Sequence, residues 1–256
     1  MAGVMAIIRK ELTVYFATPI FYVTGFFFLI LGGYFFYTNV LYYSLASYQM
    51  AQNPQWAGMF NPVQMIFRPL LGTLGILFLM MVPILTMRLL AEEKRSGTAE
   101  LLFTYPLPDW AVILGKFLAA LLVYAIFLIL TLGYPVQFAL LAPLDWGALL
   151  SGYLGLFLLG AACLSLGLFA SSLTDNQIIA AVAAFALLLL FWLIGWQQEI
   201  SPGAWGGLFA ALSLMEHFDN FTRGVIDTKD LIYYFSFIFF FLFLTKRQLE
   251  SRRWRA

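Results

Sequence analysis

The chain has 256 residues, 62% of them hydrophobic and 11% charged, with 14 Lys and Arg against 13 Asp and Glu. Soluble domains carry roughly 45–50% apolar and about 25% charged residues, so this composition excludes an ordinary soluble domain, and the near-neutral balance leaves no electrostatic footprint for nucleic acid. A single cysteine, Cys163, excludes a disulfide framework and a cysteine metal cluster.

Residues 1–17 carry Val4, Ile7, Ile8, Leu12, Tyr15 and Phe16 at the three-and-four spacing of an amphipathic helix, with Arg9, Lys10, Glu11 and Thr13 on the other side. Interrupted by those charges, the stretch is expected to be neither a cleavable signal peptide nor a span, and the helix is expected to lie at the membrane surface. Thr18 and Pro19 break it. A first span is predicted at 21–43, followed by a polar, proline-containing stretch from Ser44 to Arg68. The second span runs Leu70 to Leu90, with Pro83 as a kink. The third covers 117–137, the fourth 147–170, and a polar turn from Ser171 to Gln177 leads to the fifth at 178–196. Most of these runs approach the roughly 20 apolar residues that cross a hydrocarbon core of about 30 Å. Ala204 to Met215 is apolar but too short to cross, and reads as a re-entrant or surface-lying piece within an outer region, 197–230. The last span, 231–244, is extended by snorkelling of Lys246 and Arg247. The fold class is therefore an all-α membrane protein of six spans, in a single domain over 1–256.

Six spans put both termini on one side. Eleven basic residues fall on that side and three, Arg68, Arg223 and Lys229, on the other. The positive-inside rule places the termini in the cytoplasm.

Between the second and third spans lies a polar segment, Arg88 to Trp110. Ser96, Gly97, Thr98 and Glu100 resemble a helix start, Leu101, Leu102 and Phe103 follow, and Pro106 and Pro108 end the run. Asp109 is then expected as the N-cap of the next helix. A short helix at 98–105, bracketed by turns, suits a groove on a soluble partner. Glu92, Glu93, Lys94 and Arg95 would form a distributed polar dock around an apolar centre at Leu101, Leu102 and Phe103, with Lys94 and Arg95 also within reach of lipid phosphates.

The run from Glu92 to Leu107, with Asp109, Trp110 and Leu114 to Phe117, resembles the signature of type-2 ABC transporter permeases, most of all their gliding-motility (GldF-type) branch. Arg9 to Leu12, Tyr15, Phe16, Pro19 and Tyr22 resemble the same family's N-terminal segment. The resemblance implies a connecting helix at 1–17 containing Arg9, Lys10 and Glu11, and a cytoplasmic coupling helix at 98–105 that docks on a separate ATPase. It implies outer re-entrant helices between spans five and six, and a central pathway between two permease copies. Partners would be ABC ATPase subunits, a second copy, an outer-side auxiliary protein and membrane lipid, in the bacterial inner membrane. The chain has no phosphate-binding loop. No cofactor is expected in it, and ATP and Mg belong to the partner ATPase.

Other features are expected to be structural. Lys116 and Arg88 lie near the cytoplasmic edge, where snorkelling accounts for them. His217, with Glu216, Asp219, Asp227 and Asp230, is a weak metal pattern on a solvated outer surface, so no metal site is assigned. The aromatics of the first span suit interfacial anchoring and lipid-facing packing, and the small residues of spans four and five suit close helix approach. No catalytic constellation is present, so the chain is read as a non-enzymatic subunit. The alternative, a secondary carrier or channel without an ATPase, would need charged groups deep in the spans.

Overall fold

The computed structural model describes residues 2–51, 61–97, 108–200, 207 and 211–253, and every regular element among them is helical. Helix α1 (Ala2–Ala17) bends at Thr18 into α2 (Pro19–Ala51). A π-helical turn, Val63–Phe67, opens α3 (Arg68–Thr86), which is followed by the short α4 (Ala91–Arg95). Then come α5 (Asp109–Thr131), α6 (Gly133–Ala139), α7 (Trp146–Leu173), α8 (Gln177–Ile200), α9 (Leu214–Thr222) and α10 (Thr228–Arg253). Among the described residues, six stretches are long and apolar enough to cross a membrane: Pro19–Tyr48, Val63–Arg95, Asp109–Ala139, Trp146–Leu173, Gln177–Gly195 and Thr228–Ser251.

Several boundaries differ from those read off the sequence. Helix α2, the first span, continues to Ala51 instead of ending near Tyr43, because no charge or proline lies between Pro19 and Ala51. Ser44, expected to begin a polar stretch, returns its hydroxyl to the Leu41 carbonyl at 2.8 Å and stays helical. The Ser171 to Gln177 turn is shorter than expected, since Ser171 and Ser172 lie buried in the last turn of α7. Asp109 is the first residue of α5 and Pro108, in extended conformation, precedes it as the cap.

Helix α7 is the centre of the bundle, apolar all round and packed against α3, α5, α8, α9 and α10. A helix without a polar face has to be covered on every side. Small residues on α7 let large neighbours approach. The buried Tyr124 ring stacks on Phe78 with centroids 3.7 Å apart, and its hydroxyl donates to the Leu156 carbonyl at 2.7 Å. A Cβ at Gly160 would lie 2.0 Å from that ring, so only glycine fits there. By contrast α2 and α8 present broad exposed apolar faces, including Tyr22, Phe26 and Tyr34 on α2 and Ile178, Val182 and Leu190 on α8.

One end of the bundle carries α1, α4 and the end of α10; it is called the near end below. At the far end, Asp145 caps α7 by accepting from the Gly147 and Ala148 amides. There α9 buries Leu214, Phe218 and Phe221, and Ser213 caps it by accepting from the Glu216 amide at 3.2 Å. Gly224, at φ +85°, turns the chain into α10. Asp219 receives Arg68 at 2.7 Å and Arg223 at 2.5 Å, tying α9 to α3. Partial burial would raise the Asp219 pKa, but the two guanidinium groups outweigh it and hold the carboxyl below its ordinary value.

The far-end acidic residues are not all solvated, contrary to expectation. Asp230 is fully buried, with Oδ1 2.6 Å from His217 Nδ1 and Oδ2 accepting from Asn220 Nδ2 at 2.8 Å. The His217 ring stacks on Tyr233 at 3.9 Å. These contacts fasten α9 to α10. Of the expected re-entrant piece, Ala204 to Met215, residues 204–206 and 208–210 lie outside the described residues, and Leu214 and Met215 open α9.

Candidate coupling site

The second span is interrupted at the near end. Pro83 has no amide to donate within α3, and after Thr86 the chain makes a turn over 87–90 before α4 resumes the helix. Turn amides left without helical acceptors need partners. Ser171 of α7 supplies them. Its Oγ accepts from both the Leu90 and Ala91 amides at 3.1 Å and donates to the Met87 carbonyl at 3.1 Å. One hydroxyl from a neighbouring helix thus serves as the N-cap of α4. From α1, the buried Tyr15 hydroxyl donates to the Leu85 carbonyl at 2.7 Å. Burial, then the Glu11 carboxylate, raises the Tyr15 pKa and keeps the phenol a donor.

An ion cluster lies beside this break. Lys116 Nζ, on α5, is 2.7 Å from Glu11 Oε1 of α1 and 2.9 Å from Glu93 Oε1 of α4. Lys10 Nζ reaches the same Glu93 oxygen at 2.7 Å and Glu11 at 3.8 Å. The cluster holds two cations and two anions. Lys116 is 1% exposed, so it does not snorkel to water as its position suggested; it turns inward because two carboxylates await it. Burial alone would lower the Lys10 pKa, but its bond to Glu93 and the charges of Glu93, Glu11 and Glu92 raise it. Its contribution is full below the ordinary value of 10.5 and fades only as pH rises through the higher folded value.

Packing brings these charges together. Ile7 of α1 lies over Gly115, where a Cβ would come within 2.7 Å of the Ile7 side chain. Glycine there lets α1 press against α5 one residue before Lys116, and Glu11 follows Ile7 by one helical turn. The end of α10 closes the same region, with Lys246 Nζ 5.6 Å from the Trp110 ring.

Of the residues expected to dock a partner, Glu93 faces into this cluster, Lys94 donates to the Ser172 carbonyl, and Glu92 accepts from Arg88 at 3.0 Å while remaining 47% exposed at its side chain. Arg95 is exposed. Gly97, at φ +69°, ends α4, its amide bonding to the Lys94 carbonyl at 3.2 Å. Ser96 and Gly97 therefore finish α4, and Ser96 donates back to Glu92. Thr98, Glu100, Leu101, Leu102 and Phe103 lie outside the described residues, as does the expected helix at 98–105. In the connecting helix, Lys10 and Glu11 belong to the cluster and Arg9 is exposed. Sequence reasoning missed Lys116, Tyr15 and Ser171. The one signal was a lysine inside an apolar run with a glutamate among the charges of α1.

The site thus fixes both flanks of residues 98–107, α4 before and α5 after, to each other and to α1. The arrangement is an ion-paired joint at one end of a bundle of helices long and apolar enough to cross a membrane. Such a fold and joint define a polytopic helical membrane protein. Residues 5–244 match the ABC-2 family transporter protein family, and the chain belongs to it. No curated protein matches the chain significantly. Family membership makes the chain a membrane permease component of an ABC transporter and implies an ABC ATPase as its partner.

Proposed function

We propose that the chain is the permease subunit of an ATP-driven exporter in which residues 98–105 form a coupling helix docked on the ATPase. The observation that carries this reading is the Glu93–Lys116–Glu11 clamp on both sides of that segment. Motion delivered at 98–105 would reach α3 and α5 together, with α1 carried along, and change access to a pathway. Buried, neutralised charge joints suit this task because their geometry has little slack.

In the same reading the subunit works as a dimer with a second copy, with the near end and both termini in the cytoplasm of a bacterial cell. The exposed apolar faces of α2 and α8 are surfaces for lipid or for that copy. The gliding-motility-like character and an outer auxiliary protein belong to this proposal too; in the alternative to export, the same joint transmits force across the membrane and no cargo moves. Its test is a pull-down of tagged chain from native membranes. Leu102→Glu or Phe103→Glu should leave the chain inserted while sharply reducing the vanadate-sensitive ATPase activity that co-purifies. Unchanged activity would overturn the docking role.

A further inference from the structure

Helix α1 has two faces. Ile7, Glu11 and Tyr15, spaced by four, are buried against the bundle. The opposite side is one continuous open strip formed by Met5, Ile8, Arg9, Leu12, Thr13 and Phe16. Met5 is 66% and Phe16 41% exposed. A helix face turned to water carries several charges; of the two cations on this side, Lys10 is drawn to Glu93. Arg9 is left as the cation of an apolar strip, without an ion pair among the described residues.

The strip also runs directly into a membrane span. Phe16 packs on Phe21 of α2 with ring centroids 4.7 Å apart, and the next residues, Tyr22 and Val23, are exposed on the span. The strip is therefore continuous with an exposed apolar face of the first span. An apolar helix face with a basic residue is the pattern that binds anionic membrane surfaces, and a guanidinium fork matches phosphate oxygens.

We infer that this face of α1 seats an anionic phospholipid, with acyl chains along Met5, Ile8, Leu12 and Phe16 and the headgroup phosphate on Arg9. The inference rests on the chain being a membrane protein and is independent of the ATPase reading. A basic residue at an anionic surface should favour that lipid about fivefold, or about 1 kcal/mol.

The test is native mass spectrometry of the full chain in detergent, titrated with phosphatidylglycerol or phosphatidylcholine. Wild type should hold one phosphatidylglycerol per chain about fivefold more tightly than phosphatidylcholine. Arg9→Gln should remove that preference, Arg9→Lys should keep most of it, and Phe16→Ser should weaken both lipids alike. Three results would overturn the inference: no preference in wild type, a preference that survives Arg9→Gln, or displacement of phosphatidylglycerol by equimolar inorganic phosphate, which would reveal a bare anion site. Affinity for both lipids unchanged in Phe16→Ser would also overturn it.

Discussion

Replacing Lys116 by methionine tests the clamp most sharply, because the structure says which carboxylate suffers. Lys116 serves Glu11 at 2.7 Å and Glu93 at 2.9 Å. Without it, Glu93 keeps Lys10 at 2.7 Å, but Glu11 keeps only Lys10 at 3.8 Å. The loss therefore falls on Glu11, whose side chain is 10% exposed. Removing one partner of a buried pair costs about 3–5 kcal/mol; with Glu93 still paired, the lower end, about 3 kcal/mol, is expected. Replacing both charges, Glu11→Gln with Lys116→Met, removes the orphan and should cost only about 1 kcal/mol, since buried pairs contribute little beyond a satisfied apolar substitute. The chain offers its own reporter. Cys163, its one cysteine, is buried at the centre of α7, so a thiol-reactive dye fluoresces only on unfolding. By the scaling for chains of this size, about 2–4 °C per kcal/mol, Lys116→Met should lower the midpoint by about 6–12 °C and the double variant should recover more than half. A single variant within about 2 °C of wild type, or a double variant at least as unstable as Lys116→Met alone, would refute the reasoning.

Further outcomes follow from other contacts. Gly160→Ala forces a methyl into Tyr124 and should cost about 1–3 kcal/mol, whereas Gly72→Ala, with nothing within 4 Å of the new Cβ, should be neutral or slightly stabilising in the same thermal assay. Ser171→Ala strips the acceptor from the Leu90 and Ala91 amides, costing about 1–3 kcal/mol, and hydrogen exchange should speed up selectively over 87–95. Arg68→Gln should destabilise the far end at neutral pH only. Asp219 has a lowered pKa, so its contribution is full above its ordinary value near 3.8 and is lost as pH falls through the lower folded value. The variant and wild type should converge in thermal midpoint at strongly acid pH, and a constant gap would contradict the assignment.

The spans were legible because apolar blocks of crossing length are a one-dimensional signal. The ends were less so. Helix α2 outran the expected end of the first span because small hydroxyl residues such as Ser44 satisfy themselves on the preceding turn. The clamp was not legible for a different reason. Lys116 and Glu11 are 105 positions apart, and only the approach of α1 over Gly115 makes them neighbours. In isolation, a lysine near a span end is best explained by snorkelling; with two carboxylates beside it, inward pairing wins. Asp230 teaches the same lesson. Among outer loop acids it looked solvated, yet His217 and Asn220 bury it. Ser171 hid in what read as a polar turn, since one hydroxyl capping another helix leaves no local pattern.

The central claim is that residues 101–103 touch an ABC ATPase and that the clamp carries its motion into the spans. A photo-crosslinking residue at position 103, activated in native membranes, measures the contact directly. The account predicts a crosslinked product whose peptides contain an ABC ATPase, undiminished in Lys116→Met, which affects what is transmitted and leaves the contact in place. Efficient crosslinking at 103 only to lipid or to the chain itself, with the ATPase present in the same membranes, would contradict it.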